Sequence, residues 1–213
     1  TEAIILELTA SDGSYTVSIQ MNVNIIPVND APVLTALGNQ ATDEDTPLTL
    51  TLSATDIDGD NLSYNAVSDN ENVVVSVEGS SLTLTPSTNY NGRASVTVTV
   101  TDGFLNDSDT FTFTVTPVND SPELTSISDQ STDEDIPMTL TLSATDIDGD
   151  DLTYTAISDN ENVVVSVEGS SLTLTPSTNY NGTASVTVTV SDGFLTDSRT
   201  FTLTVTPVND APV

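Results

Sequence analysis

The chain has 213 residues, with 32 acidic side chains against two basic ones, Arg93 and Arg199, no His or Cys, and a formal net charge of −30. Such a charge repels nucleic acid and anionic membrane, and excludes both as natural partners. The missing Cys, His and Lys remove disulfides, Lys–Asn isopeptide staples, the common zinc ligands and the usual nucleophiles and proton shuttles.

The first 30 residues carry an Asp12-Gly13 turn and the tetrapeptide Pro27-Val28-Asn29-Asp30. From there the apolar period is two. Leu48, Leu50, Leu52 and Ala54 alternate with Thr49, Thr51 and Ser53, which predicts one strand. Leu62, Tyr64 and Ala66 predict the next, then Val73, Val75 and Val77, then Leu82 and Leu84. Val96, Val98 and Val100 follow, and Phe111, Phe113 and Val115 close the series, with Phe111 and Phe113 expected in the core. Val and Thr suit a pleated, half-buried surface. Asp58-Gly59, Glu78-Gly79, Asn91-Gly92 and Asp102-Gly103 read as the turns between these runs.

The pattern then repeats. Pro-Val-Asn-Asp recurs at Pro117–Asp120 and Pro207–Asp210, and Asp-Gly at Asp102 and Asp192, in steps of 90 residues. Residues 31–120 and 121–210 are identical at 72 of 90 positions without a gap. The expected organisation is therefore the C-terminal part of a truncated repeat over 1–30, a full repeat over 31–120, and another over 121–213 that includes the start of a following linker. No apolar run approaches the ~20 residues of a membrane span and no signal peptide is visible, so the segment is expected to come from a longer chain. Six or seven short strands in about 90 residues predict an all-β fold of tandem Greek-key β-sandwiches. A core of that size is modest, which leaves room for a bound metal to add stability.

The acids gather at strand ends: Asp43-Glu44-Asp45, Asp56-Ile57-Asp58-Gly59-Asp60, Asp102-Gly103 and Asn119-Asp120, with copies at Asp133-Glu134-Asp135, Asp146-Ile147-Asp148-Gly149-Asp150, Asp192-Gly193 and Asn209-Asp210. Ca2+ takes about six to eight oxygen ligands, and Asp-x-Asp in a tight turn aims several at one point. Without a cation, two carboxylates ~4 Å apart repel by roughly 4 kcal/mol at an effective dielectric near 20. Asp43, Asp45 and Asp60 read as solvated, and the Thr rows as the exposed side of a strand. Both repeats carry the same acids, and an active site is rarely copied along a string of modules, so the chain is expected not to be an enzyme.

Glu44-Asp45-Thr46-Pro47, Ala54-Thr55-Asp56-Ile57-Asp58-Gly59, Asp102-Gly103 and Val118-Asn119-Asp120-Ser121-Pro122, in that order, resemble the calcium motifs of cadherin domains. The series is most similar to the bacterial cadherin-like tandem repeats of large extracellular adhesins and surface proteins. That resemblance implies Ca2+ at the junctions of consecutive domains. Its ligands would be Asn29, Asp30, Asp56, Asp58 and Asp102 at one junction, and Glu44, Asn119, Asp120, Asp146, Asp148 and Asp192 at the next. Glu134 repeats the role of Glu44. Where cadherins place an acidic pair around a Tyr, this chain has Asn89-Tyr90-Asn91 and Asn179-Tyr180-Asn181, which implies fewer or weaker ions.

The function implied is a calcium-binding, extracellular structural or adhesive repeat, stiffened into a rod within a large bacterial surface or secreted protein that serves cell adhesion and biofilm. Its partners would be neighbouring repeats of the same chain, a cell-surface or polysaccharide ligand, or a homophilic contact, with no nucleic acid and no membrane insertion. The alternative is a carbohydrate-binding module of a secreted polysaccharide-degrading system, for which Phe104 and Tyr90 are the available aromatic platform in the first full repeat.

Overall fold

The computed structural model describes residues 3–209; the expected start of a further repeat at 211–213, and Asp210 before it, lie outside the described residues. The chain divides into two compact units, Thr1–Pro117 and Val118–Val213. The regular structure of the described residues is entirely β.

The first unit opens with an antiparallel hairpin, β1 (Ala3–Ser11) and β2 (Thr16–Asn24). Nine strands follow: β3 (Val33–Leu34), β4 (Gln40–Asp43), β5 (Leu48–Thr51), β6 (Ala54–Thr55), β7 (Ser63–Ser68), β8 (Val73–Glu78), β9 (Ser81–Pro86), β10 (Gly92–Thr101) and β11 (Asn106–Thr116). The second unit repeats them as β12 (Glu123–Leu124), β13 (Gln130–Asp133), β14 (Met138–Thr141), β15 (Ala144–Thr145), β16 (Thr153–Ser158), β17 (Val163–Glu168), β18 (Ser171–Pro176), β19 (Gly182–Ser191) and β20 (Thr196–Thr206).

In each sandwich one sheet runs β4-β11-β10-β7 and the other β5-β9-β8, with β3-β6 as a short extra pair; the second unit has β13-β20-β19-β16, β14-β18-β17 and β12-β15. All pairings are antiparallel except β4 on β11 and β13 on β20. Alternation decides what faces inward. Val96, Val98 and Val100 of β10 are fully buried, as are Leu82 and Leu84 of β9 and Phe113 of β11. The intervening Thr97 and Thr110 face away from the core and join hydroxyls at 2.9 Å across the β10–β11 ladder. Each fully buried Leu, Val or Phe stabilises the fold by roughly 1.5–3 kcal/mol.

Two sequence expectations need correction. The strand expected over Leu48–Ala54 is broken: β5 ends at Thr51, and β6 starts at Ala54. At the break the Leu52 N–H donates to Ser80 O at 2.7 Å, and Ser53 O accepts from Thr35 N at 2.8 Å. The chain thus changes pairing partners from β9 to β3 while Leu52 stays buried at 3 % exposure, which keeps the apolar period intact through the break. Asn91-Gly92 is not a turn either. The reversal is made earlier, where Tyr90 N donates to Ser87 O at 3.1 Å and Asn89 takes φ 55°. Gly92 is the first residue of β10, and the Tyr90 ring occupies the space a side chain there would need.

The leading hairpin aligns 90 residues upstream of β10 and β11, with Leu6 opposite Met21 as Val96 is opposite Phe111. Leu6 is 49 % exposed and Met21 57 %, whereas Val96 and Phe111 are 0 % and 3 %.

Candidate metal centre

The Asp-Ile-Asp-Gly-Asp segment follows directly on β6. Asp56 Oδ1 accepts the backbone N–H groups of Asp58 at 2.9 Å, Gly59 at 3.0 Å and Asp60 at 3.3 Å. One carboxylate oxygen thereby folds the turn around itself, and Gly59 sits at φ 79°, where a side chain would be strained. Carboxylate oxygens of Asp56, Asp58 and Asp60 lie within 4.8 Å of one another, and those of Asp146, Asp148 and Asp150 do the same in the second unit. There Asp146 Oδ1 accepts from Asp148, Gly149 and Asp150 at 2.9, 3.1 and 3.4 Å.

The entry segment of each sandwich is tied to this turn. Asp30 N donates to Asp58 Oδ2 at 2.8 Å, and Asn29 Nδ2 to Asp102 Oδ2 at 2.8 Å. In the second unit Asp120 N donates to Asp148 Oδ2 at 2.8 Å and Asn119 Nδ2 to Asp192 Oδ2 at 2.9 Å. Asp102 Oδ1 accepts from Phe104 N and Leu105 N, both at 2.7 Å, closing the β10–β11 turn. The Asn29 amide, then the Leu105 and Phe104 N–H groups, hold the Asp102 carboxyl below its ordinary value of 3.8. The Asn119 amide has the leading effect in lowering Asp192. Asp150 is shifted the other way, by lost hydration first and then by the charges of Asp146, Asp148, Asp192 and Asp151.

Glu44 and Glu134 stand elsewhere in their sandwiches. Glu44 follows β4, and its N–H donates to Thr116 O at 2.9 Å at the end of β11, the opposite end of that strand from the Asp102 turn. It is buried, as is Glu134, whose Oε1 accepts from Val208 N at 2.6 Å in the segment leaving the second sandwich. Each sandwich therefore carries one buried glutamate beside the end of its last strand and an aspartate group at the other end.

A hard divalent cation fits the aspartate group on one specific ground. Asp56 Oδ2 and Asp146 Oδ2 are sealed from solvent and have no hydrogen-bond partner. A buried, unsatisfied acceptor costs about 1–3 kcal/mol, and more when charged. No nearby basic side chain offsets this: the chain has two, and Arg199 is paired with Asp197 at 2.7 Å. Oxygens held at ~2.4 Å from a common Ca2+ lie at most ~4.8 Å apart, so the observed spacing admits such an ion. Asp56, Asp58 and Asp60, or Asp146, Asp148 and Asp150, would hold it, and the ion would neutralise their mutual repulsion.

Asp60, expected to be solvated, is exposed, and one of its carboxylate oxygens lies in the same group as those of Asp56 and Asp58. Its signal was present as the third acid at alternate positions. Asp43 and Asp45 have structural partners: Asp43 Oδ1 accepts from Thr116 Oγ1 at 2.6 Å, and Asp45 Oδ1 from Asn89 N at 3.0 Å. Several further acids cap backbone N–H groups. Asp107 Oδ2 takes Leu34 N at 2.9 Å, Asp109 Oδ2 takes Leu37 N at 3.0 Å, and Asp69 Oδ1 takes Ser95 N at 2.7 Å. No local pattern foretold these, because donor and acceptor lie up to 73 residues apart. Of the two aromatics considered as a sugar platform, Phe104 is 86 % exposed, while Tyr90 packs on the core and its hydroxyl accepts from Asn70 Nδ2 at 2.6 Å.

Two sheets in which the second strand of each repeat pairs parallel with its last, repeated every 90 residues, define a tandem of immunoglobulin-like β-sandwich domains. Residues 29–116 match the family profile of the bacterial Ig domain, and residues 118–206 that of the cadherin-like domain. The chain belongs to these bacterial Ig and cadherin-like tandem repeats. That two nearly identical repeats answer to two family descriptions reflects one shared architecture. EC1-2 of human protocadherin-24 is similar in fold, at 18 % identity over 85 % of this chain and 100 % of that one, with a TM-score of 0.55. An endo-fucoidan hydrolase of glycoside hydrolase family 107 matches at 20 % identity over 98 % of this chain, with a TM-score of 0.39. The chain spans about a third of the length of that hydrolase, 34 %. Among curated proteins none matches the chain. No helix of the described residues is long and apolar enough to cross a membrane.

Proposed function

We propose that this chain is a calcium-binding, non-catalytic repeat of a large extracellular or surface protein, where a string of such sandwiches forms a calcium-stiffened structural or adhesive rod. The observation that carries the reading is the sealed, partnerless Oδ2 of Asp56 and of Asp146, each within a group of three aspartates that no basic side chain offsets. Asn29, Asp30 and Asp102 in the first unit, and Asn119, Asp120 and Asp192 in the second, bind the incoming segment to the same end of the sandwich as this group. A cation there orders the linker as well as the turn. Neighbouring repeats are the first partners, and near-identical copies supply reach and avidity, with adhesion to a surface, a polysaccharide or another array as the task.

Small-angle scattering and a thermal melt of the chain, in millimolar Ca2+ and then in excess EGTA, test this. A larger maximum dimension and a higher melting temperature with Ca2+ are expected, since a ligand that binds only the folded state stabilises it. No change in either would refute it. A second reading, a carbohydrate-binding module, is favoured only by exposed Phe104 and Phe194, one aromatic at the same turn of each sandwich. Retention on insoluble polysaccharide, lost in Phe104→Ala with Phe194→Ala, would support it.

A further inference from the structure

We propose that the second sandwich carries a binding site for a neutral sugar in the cleft beside β12 and β15, where Arg199 and Glu123 hold the sugar hydroxyls. This goes beyond the calcium reading and does not rest on it.

A cavity of about 400 Å³ is lined there by Glu123, Leu124, Thr125, Ser126, Thr145 and Arg199. Small-molecule sites occupy roughly 300–1,000 Å³, so a single hexose unit fits. Strands of one unit supply the walls: β12 gives Glu123 and Leu124, β15 gives Thr145, and β20 gives Arg199.

Arg199 is anchored and only partly used. Asp197 is itself fixed, with Oδ2 accepting from Leu124 N at 2.9 Å and Oδ1 from Ser198 N at 2.8 Å. That carboxylate accepts from Arg199 Nη1 at 2.7 Å, and Nη1 also donates to Ser198 O at 3.0 Å. A guanidinium offers its N–H donors in one rigid plane. With Nη1 spent, Nε and Nη2 are left to donate from a fixed position. Glu123 lines the same cavity, yet the one ion pair among the described residues is that of Arg199 with Asp197. The cleft therefore sets uncommitted N–H donors and an uncommitted carboxylate around one space. A sugar hydroxyl both accepts and donates, so neighbouring hydroxyls of a hexose satisfy the two groups together, and Thr125, Ser126 and Thr145 can serve either way. An anion is the poorer occupant: Asp197 already offsets Arg199, and the chain's net charge of −30 repels it.

The first sandwich is an internal reference. At the positions of Glu123, Ser126 and Arg199 it has Val33, Ala36 and Asp109. Asp109 caps Leu37 N at 3.0 Å, and the cavity beside β3 and β6 has Ala31, Val33 and Ile57 in its lining. Three of the positions at which two near-identical repeats differ thus meet in one cleft of the folded domain, and there they exchange apolar and acidic groups for donors and acceptors.

Saturation-transfer NMR of the whole chain in millimolar Ca2+ tests this with the methyl glycosides of glucose, galactose and mannose, and with glucuronate as the anionic control. Transfer to at least one methyl glycoside is expected, with millimolar affinity. Arg199→Asp with Glu123→Val installs residues with which the first sandwich already folds, and should weaken binding by about tenfold or more. No transfer to any of the three glycosides, transfer that the double variant keeps, or transfer to glucuronate alone would overturn the proposal. The calcium reading stands or falls separately, on scattering and melting.

Discussion

The backbone N–H of Asp120 donates to the Oδ2 of Asp148, 28 residues further on, at 2.8 Å. Asp30 makes the same bond to Asp58 at the head of the first sandwich. A residue of the incoming segment is thus already bound to the aspartate turn before any ion is considered. Replacing both acids of the second turn, Asp146→Ala with Asp148→Ala, should reduce calcium affinity by roughly tenfold or more and release Asp120 from the turn. Both β-sandwiches should stay folded, since neither side chain belongs to the core. Calorimetry and circular dichroism check this, and unchanged calcium binding would show that the turn is not the site.

Glu134 gives a different test. Its Oε1 receives the Val208 N–H at 2.6 Å from a position only 7 % exposed. Glu134→Ala leaves that donor unmet and should destabilise the second sandwich by about 1–3 kcal/mol. Glu134→Gln keeps an acceptor oxygen and should cost less. Urea unfolding in EGTA separates the two variants without interference from bound calcium.

Gly92 is constrained by Tyr90. A Cβ at Gly92 would lie 2.6 Å from the Tyr90 hydroxyl, and the backbone there has φ 149°. Gly92→Ala should push the ring away and break the bond from Asn70 Nδ2, at a cost of ~1–3 kcal/mol. Tyr90→Phe, which loses the hydroxyl without the clash, should be milder. Thermal melts of the two variants provide the comparison.

Asp197 predicts an acid response. The Leu124 N–H, followed by the Ser198 N–H and the Arg199 guanidinium, holds its carboxyl below the ordinary 3.8. A carboxyl lowered in the folded state contributes stability that is present above its unfolded value and is lost as pH falls through the folded one. The loss should therefore fall below 3.8 and steepen with acid. In Asp197→Asn the urea midpoint should depend less on pH in that range. An identical acid profile for variant and parent would show that another group is responsible.

The leading hairpin should exchange first. Its cross-strand pair Leu8 and Ile19 is 72 % and 64 % exposed, and a two-stranded sheet with both faces wet is marginal by itself. Hydrogen exchange followed by mass spectrometry should show amides of β1 and β2 exchanging long before those of β10 and β11.

Much of the architecture was legible because it is periodic. Val96, Val98 and Val100 alternate with Thr, and a strand that alternates has only one way to face a core. The same rule failed over Leu48–Ala54, where the period continues through a change of partner strand at Leu52 and Ser53. Alternation reports which side faces the core and is silent on which neighbour accepts the hydrogen bonds. The convergence of Asp56 and Asp58 was readable from their spacing. The gathering of exposed Asp60 with them was not, and it follows from the three backbone bonds to Asp56 Oδ1.

The sequence by itself determined the β class, the 90-residue repeat, the identity of the buried rows and the places where acids cluster, since all of these follow from local spacing and repetition. Tertiary structure alone decided which distant backbone groups the acids cap and which acids gather with other carboxylates. Asp107 and Asp58 are both aspartates near strand ends; Asp107 meets Leu34 N from 73 residues away, while Asp58 meets Asp30 N from 28 residues away and also shares a 4.8 Å group with two more carboxylates. That difference is set by which donors the folded chain brings within 3 Å, and distance in space is not written in distance along the chain.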